Sequence, residues 1–570
     1  MRLNTRRSGK HEYVYFLESY IDNKTKQPRT RTIKSFGRRD LLEAKDPDIM
    51  NKLQAYVDEY NAAQEDVHAE EVSRYLKKRE EGSLSGDGMV ILNYGIAVYR
   101  AIWDELDMDY RLKYLLNDTR IKYDVCRTAF LMSALRGINP RSKLATFEDR
   151  NKYILPFDDI KEQDLYKTLT QLAEYKDDIE RHLHRKISGH HERDVTAAFY
   201  DVTTCYFEST KDDSLKKFGY SKDNKINEVQ VVMGLSIDSD GIPISYDLYP
   251  GNTSEFKTLK NAIVKLRKRF KIEKVIVVAD RGLNSKSNLA EIKNMGFEYV
   301  MAYKLKGATK EIKESLFSED GYIAKEQDGA IFRHKVIETD EVVSCNGEKI
   351  LINENLIITY SSRRAEKDLH DRERLIKKAE SFIDSPSKYA SELKKGGKGF
   401  IKVDIDRQSL SLDTKKICEQ ARFDGYYGIV TSDRGLTTEQ VIGIHHGLWK
   451  IEESFRVMKS NLQVRPCFVW TEDRIKGHFA VCFIALVMQR LLEYRLREAG
   501  IEVCTGRIQE AIREAKVGRI KINDEVSYYI RCKQKTDLFD KMCGLFGMEP
   551  LCDWNRGKGI KKRLKLKQVF

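Results

Sequence analysis

The chain has 570 residues, of which 33% are charged and 41% hydrophobic, so it is a folded globular protein of several units and neither a disordered chain nor a fibre. Lysine and arginine outnumber aspartate and glutamate by 101 to 88, a formal charge of +13, and that balance points to a polyanionic partner, nucleic acid first. Ten cysteines without a C-x-x-C pair or a neighbouring histidine pattern exclude a zinc-finger framework. They read as reduced thiols of a soluble intracellular protein. No apolar stretch of signal-peptide type follows the basic N-terminus, and the longest apolar run, Phe479 to Met488, is about half of what a bilayer needs.

Residues Tyr13 to Ile21 and Arg29 to Phe36 are β-rich runs separated by the polar, proline-ended DNKTKQP, which predicts a hairpin. Cations crowd its second strand, RTRTIKSFGRR. Such a hairpin can lie on a nucleic-acid backbone, and it can equally be an edge kept soluble by charge. A helical pattern follows from about residue 41, and KKREEGSLSGDG reads as a linker, so residues 1–80 form a basic hairpin-plus-helix unit. Residues 81–190 read as helical, with MVILNYGIAVYRAIWDEL their clearest amphipathic segment and Arg136, Arg141 and Lys143 a basic turn around GINPRSK. This region is either a DNA-end recognition domain or a scaffold; nothing in it has catalytic spacing.

Residues 191–305 change character. VTAAFYDVTTCYF, Val195 to Phe207, predicts a strand with one acid, Asp201, at its centre, where a lone carboxylate is costly unless something pairs with it. Strands over Glu228 to Ile237 and Ile242 to Tyr249 are joined by the hairpin signal DSDG, and a helix follows PGNTSEF. Val275 to Ala279 is a near-continuous apolar run, the mark of a central strand covered on both faces, with Asp280 at its C-terminal end. Ligands of open α/β sheets sit there, although a strand-end Asp can also just cap the following turn. A helix from about Ser285 and the strand EYVMAYKL complete this part. Residues 306–422 carry short β-runs (YIAKEQ, AIFRHKVIE, ENLIITYSS) and a charged helix, and are expected to be an inserted β-rich subdomain.

A strand in FDGYYGIVTSD opens residues 423–497, and HHGLWKIEESFRVMK, His445 to Lys459, predicts one helix. At 100° per residue Leu448, Ile451, Phe455, Met458 and Leu462 form an apolar stripe. Glu453 is expected to face solvent and Glu452 to sit at the rim of the stripe near Arg456 and Lys459, where it can bind a metal or join a salt-bridged surface. Ile475 to Leu496 is another apolar helix; residues 498–570 are expected to be helical with a basic, mobile tail from about Arg556.

Three carboxylates, Asp201, Asp280 and Glu452, converging on one edge of a mixed sheet make a hard oxygen site suited to Mg²⁺ or Mn²⁺. FYDVTTCYFE, VVADRG, LWKIEESFRVMKS, GYSKDNKINEVQVVMGLSID and YPGNTSEFKTL together resemble the DDE transposases of bacterial insertion sequences, in the insertion-sequence-four superfamily, over roughly residues 190 to 490. The resemblance implies an α/β fold: an RNase H-like mixed sheet flanked by helices, interrupted by a β-rich insertion, with a helical N-terminal region. It implies that Asp201, Asp280 and Glu452 are the catalytic, metal-binding triad, holding two Mg²⁺ ions for which Mn²⁺ substitutes, and that Lys459 is the signature lysine after the Glu. Where that signature has a tyrosine and an arginine before the Glu, this chain has His445 and Leu448; of these only His445 can donate to a phosphate. Arg281 and Arg456 are further candidates for DNA phosphate contacts. The implied partners are double-stranded DNA, as transposon ends and target, and a second copy of the chain in the DNA complex, with no membrane, in the bacterial cytoplasm at the nucleoid. The implied activity is cut-and-paste transposition; a nuclease without strand transfer and a catalytically inactive DNA-binding derivative are the alternatives.

Overall fold

The computed structural model describes residues 1–21, 28–61, 73, 89–190, 193, 195, 197–209, 211–219, 228–270, 276–279, 284–327, 330–345, 347–385, 398–404, 409–521 and 527–566. They fall into two units, one of residues 1–98, 151–156 and 510–570 and one of residues 99–150 and 157–509.

In the first unit the expected hairpin is present as two strands of a three-stranded antiparallel sheet, β1 (Arg2–Ser8), β2 (His11–Ile21) and β3 (Pro28–Arg38), with β2 central. Strand β1 was hidden in the sequence because RLNTRRS has no apolar alternation; it is an edge, where charge is suitable. The turn between β2 and β3 and the linker at 77–88 lie outside the described residues. Residues 49–61 are helical and cover Phe16, whose ring stacks on Tyr56 at 5.6 Å and meets Phe36 edge-on at 4.6 Å. The expected helix from Met89 is corrected at its start: Val90–Asn93 is a strand, β4, and helix begins at Ile96. An apolar run this short fits either element, and here it finds a strand partner.

The second unit is built on a nine-stranded sheet. In chain order its strands are β5 (Ala197–Tyr206), β6 (Gln230–Ile237), β7 (Pro243–Pro250), β8 (Ile276–Ala279), β9 (Glu298–Tyr303), β10 (Ile323–Gln327), β11 (Ala330–Cys345), β12 (Glu348–Ser361) and β15 (Tyr426–Thr431). Between the last two, β13 (Ile401–Asp404) and β14 (Ser409–Leu412) pair as a separate hairpin. The spatial order is β10-β11-β12-β15-β9-β8-β5-β6-β7, with β8 parallel to β5 and β9 and every other pair antiparallel. Helices Glu255–Phe270 and Lys286–Asn294 make the connections into and out of β8. The four residues of β8 are all buried, as expected of a strand covered on both faces.

Alternation along β5 sorts the layers. Ala198, Tyr200 and Val202 pack with Leu259, Ile263, Leu266 and Leu289 of the two connecting helices. Phe199, Asp201 and Thr203 belong to the opposite face. Gly234 of β6 is required where it stands, since a Cβ there would overlap the Tyr200 hydroxyl.

The expected inserted subdomain needs correction. Its strands β10–β12 continue the same sheet, because Leu356, Ile357 and Ile358 are buried and pair with Val430, Ile429 and Gly428 of β15. The helix Glu472–Glu498 is long and apolar enough to cross a membrane by length and composition, and 94% of its most apolar window is buried within the protein, as in a core helix. It packs on the helices Val125–Ile138 and Glu162–Glu174.

The C-terminal part also departs from expectation. Lys516–Lys521 (β16), Ser527–Arg531 (β17) and Trp554–Arg556 (β18) join β4 in a four-stranded sheet of order β18-β17-β16-β4. The basic segment read as a mobile tail is, through residue 566, a strand and the helix Gly557–Arg563, anchored by buried Ile560 and Leu564.

Candidate active site

Asp201 is half-buried in β5, and its Oδ1 accepts the Val202 amide at 2.7 Å. The face it occupies is covered by the segment that carries Glu452. Phe199, two residues before Asp201, meets Gly447, where a Cβ would overlap the Phe199 ring. Cys205, four residues after Asp201, is buried near Lys459 and Arg465: burial pushes its thiol up to about 12, against the pull of those two cations.

The expected single helix from His445 to Lys459 is broken. Thr438–His446 ends at Gly447, Trp449–Arg456 restarts the helix, and Val457–Asn461 is one π-helical turn. At the break Gly447 approaches Phe199 too closely for a Cβ, and the helix that follows packs on β5 and β6. The apolar stripe holds from Ile451 on: Ile451, Phe455, Met458 and Leu462 are buried, while Leu448, in the break, is half-buried.

The assignment of the two adjacent acids needs correction. Glu452 is the exposed one. Glu453, 24% exposed, is engaged by Arg456 at 3.0 Å and approached by Arg490 at 3.9 Å. Arg490 also donates to the Ser454 hydroxyl at 3.1 Å and binds Glu493, so the long helix grips the two residues immediately after Glu452. The sequence stripe missed this because Arg490 lies on a different element.

Lys459 sits in the π-helical turn, a distortion often found at functional sites. The chain then passes through Gln463 with φ of +45°, a left-handed conformation that costs a non-glycine residue about 1–2 kcal/mol. Buried donors hold this bend from outside. The Arg136 guanidinium donates to the carbonyls of Leu462 (3.4 Å) and Gln463 (3.0 Å), and His478 Nε2 to that of Val464 (2.8 Å). With Nε2 donating, His478 Nδ1 is the acceptor for Lys143 Nζ at 3.2 Å. Burial, with help from Lys143 and Arg136, keeps the imidazole well below its usual range and hence neutral. Burial and Arg136 bring the Lys143 ammonium down to about 7. Arg136 and Lys143 of the basic turn around GINPRSK are therefore turned inward, onto the segment after Lys459 and onto His478, while Arg141 is exposed and pairs with Asp149 at 2.9 Å.

Of the other sequence candidates, Asp280 and Arg281 lie outside the described residues; β8, which leads to them, ends at Ala279. His445 is buried and faces Tyr427, Nε2 to hydroxyl 3.4 Å, a placement that works against a phosphate contact. Arg456 is 65% exposed. Among the described residues no group of three His, Cys, Asp or Glu side chains is arranged to hold a metal. Asp201 and Glu452 still suit a hard divalent cation, being carboxylates on elements packed against each other and open to solvent in part.

Residues 194–488, more than half the chain, match the family model of the Transposase DDE domain, and residues 1–77 match that of the IS1634 family transposase, N-terminal domain. The chain belongs to the insertion-sequence DDE transposases. The first match spans β5 to the long core helix, and with them Asp201, Asp280 and Glu452; the second spans the three-stranded sheet. No curated protein matches the transposase. A solved structure similar to it, Mos1 transposase paired-end complex with left transposon end, has 15% identity, covers 40% of this chain and 65% of its own, and gives a TM-score of 0.14. The match thus spans less than two thirds of that chain, and at this score it carries no argument.

Proposed function

We propose that this transposase binds the terminal inverted repeats of its insertion sequence in double-stranded DNA, cuts at their boundary and joins the freed ends to target DNA. Asp201, Asp280 and Glu452 form the site. The observation that carries this reading is the packing of the Glu452 segment on the Asp201 face of β5. The third member, Asp280, follows in sequence directly on β8, the strand that pairs with β5 in parallel. Three antiparallel strands followed by two parallel ones, β7-β6-β5-β8-β9, support an RNase H-like core with β10–β12 and β15 added at its edge.

Two bound Mg²⁺ or Mn²⁺ ions would stabilise charge on the attacking and leaving oxygens of an in-line displacement at phosphorus. The chain's own contribution is to hold three like charges close enough to need those ions, and to orient the DNA. In the first reaction a water oxygen bonds to phosphorus and O3′ departs, taking a proton. In the second that 3′-hydroxyl gives up its proton, bonds to a target phosphorus and displaces a target O3′. Both are phosphodiester transfers, so one site serves both. Lys459 and Arg456 hold the DNA phosphates, with Arg281 beside the second Asp. Handling two transposon ends requires two copies of the chain in the DNA complex, and the setting is the bacterial cytoplasm.

Incubation of pre-cut repeat ends with a target plasmid and Mg²⁺ tests the joining step. Joined products support transposition; a protein that cuts the repeat boundary and never joins pre-cut ends is a nuclease, and one that binds but does neither is an inactive derivative.

A further inference from the structure

The three-stranded sheet of the first unit separates its charges by face. Register aligns Arg6, Tyr13 and Arg38 in one row and Asn4, Tyr15 and Ser35 in the next, all on one face, with the Arg6 guanidinium 5.9 Å from the Tyr15 ring centre. The intervening β2 positions point the other way. Val14 and Phe16 are buried there, and Glu12 and Glu18, at the more open ends of the same face, bond Arg39 and Arg31. Both acids of β2 are thus withdrawn from the first face. The acid that adjoins it, Asp40, is bonded to Arg38, which holds its carboxyl down to about 2. Leu17, next along that face, is buried and marks where its open part ends, while Arg2, Arg6 and Ser35 are exposed.

A face of this chemistry suits duplex DNA. It offers cations on an outer strand, and amide, hydroxyl and phenol groups between and beside them. Strands about 4.8 Å apart put the two outer strands about 10 Å from each other, which fits a major groove about 12 Å wide. We propose that this face docks in the major groove of the element's terminal repeat, with Arg2 and Arg6 on phosphates and Asn4 and Ser35 turned to base edges. The inference rests on the transposase reading above, and assigns to this sheet the reading of end sequence.

The test uses the full chain and two labelled duplexes, the terminal repeat and a scrambled duplex of the same composition, in anisotropy titrations over a salt series. R2Q/R6Q should weaken binding to both duplexes and lower the salt slope by about two, while R2K/R6K keeps the slope. N4A/S35A should keep the slope and lower the preference for the repeat by about tenfold. Arg31→Gln, on the covered face, serves as the control and should change neither. Thermal unfolding close to the parental temperature is expected of the variants, since Arg2, Arg6, Arg31 and Ser35 are exposed and Asn4 is on an edge strand. A parent that prefers the repeat, with variants that keep its affinity, slope and preference, overturns the docking face alone. A parent without preference for the repeat overturns the transposase reading and this inference with it.

Discussion

Glu452 and Glu453 are adjacent carboxylates with different surroundings. Glu453 is held by Arg456 and approached by Arg490, whereas Glu452 is exposed on the helix that covers the Asp201 face of β5. Glu452→Gln should lower the rate of metal-dependent cutting by about 10²–10³-fold, the loss of several kcal/mol of charge stabilisation. Glu453→Gln should leave that rate within about tenfold and lower the unfolding temperature instead, because buried Arg490 loses a partner. Single-turnover rates and melting curves for both variants check the pair of outcomes; a reversed pattern would reassign the catalytic Glu. Lys143 gives a prediction in pH. Its folded value is about 7 against 10.5 for the free side chain, so between those values the unfolded chain holds a proton that the folded one lacks. Stability therefore rises as pH rises from about 7 to 10.5. In Lys143→Met that part of the rise should vanish, visible as a flatter dependence of the denaturant midpoint on pH than the parent's; parallel curves would contradict it.

Among the elements, the central strands were legible because VTAAFYDVTTCYF is rich in β-branched and aromatic residues and VIVVA is a near-continuous apolar run that suits a sheet covered on both sides. The helix after β15 was legible in its stripe and not in its break. Nothing in HHGLWKIEE reveals that Gly447 must clear the Phe199 ring, a contact spanning some 250 positions of sequence. Gly447→Ala should displace the Trp449–Arg456 helix, cost about 1–3 kcal/mol in unfolding free energy and reduce cutting. Adding Phe199→Leu should return part of both losses, because the smaller side chain makes room for the methyl group. A double-mutant cycle that is strictly additive would show that the two positions do not meet.

For the whole molecule, the sequence conveyed the main strands, with Asp201 on one of them, while the pairing of distant segments stayed hidden. Lys516 of β16 lies opposite Asn93 of β4, and neither KVGRIK nor VILN carries a signal for a partner so far away in the chain. The polar edge β1 and the anchored C-terminal helix were missed for related reasons: one lacks apolar alternation, and the other hides two buried apolar residues among lysines. Ending the chain after Gln509 removes β16–β18 and leaves β4 without its strand partner, so limited proteolysis should then cut near residue 90 at a protein-to-protease ratio that leaves the full chain whole. The measurement that bears most directly on the account is the rate of cutting of a terminal-repeat duplex against Mg²⁺ concentration, for the parent and for Asp201→Asn, which preserves the oxygen that accepts the Val202 amide. The account predicts saturable dependence on Mg²⁺ and no cutting in chelator for the parent, and no cutting by the variant although it still binds the duplex. Parental cutting by Asp201→Asn, or cutting that persists in chelator, would contradict it.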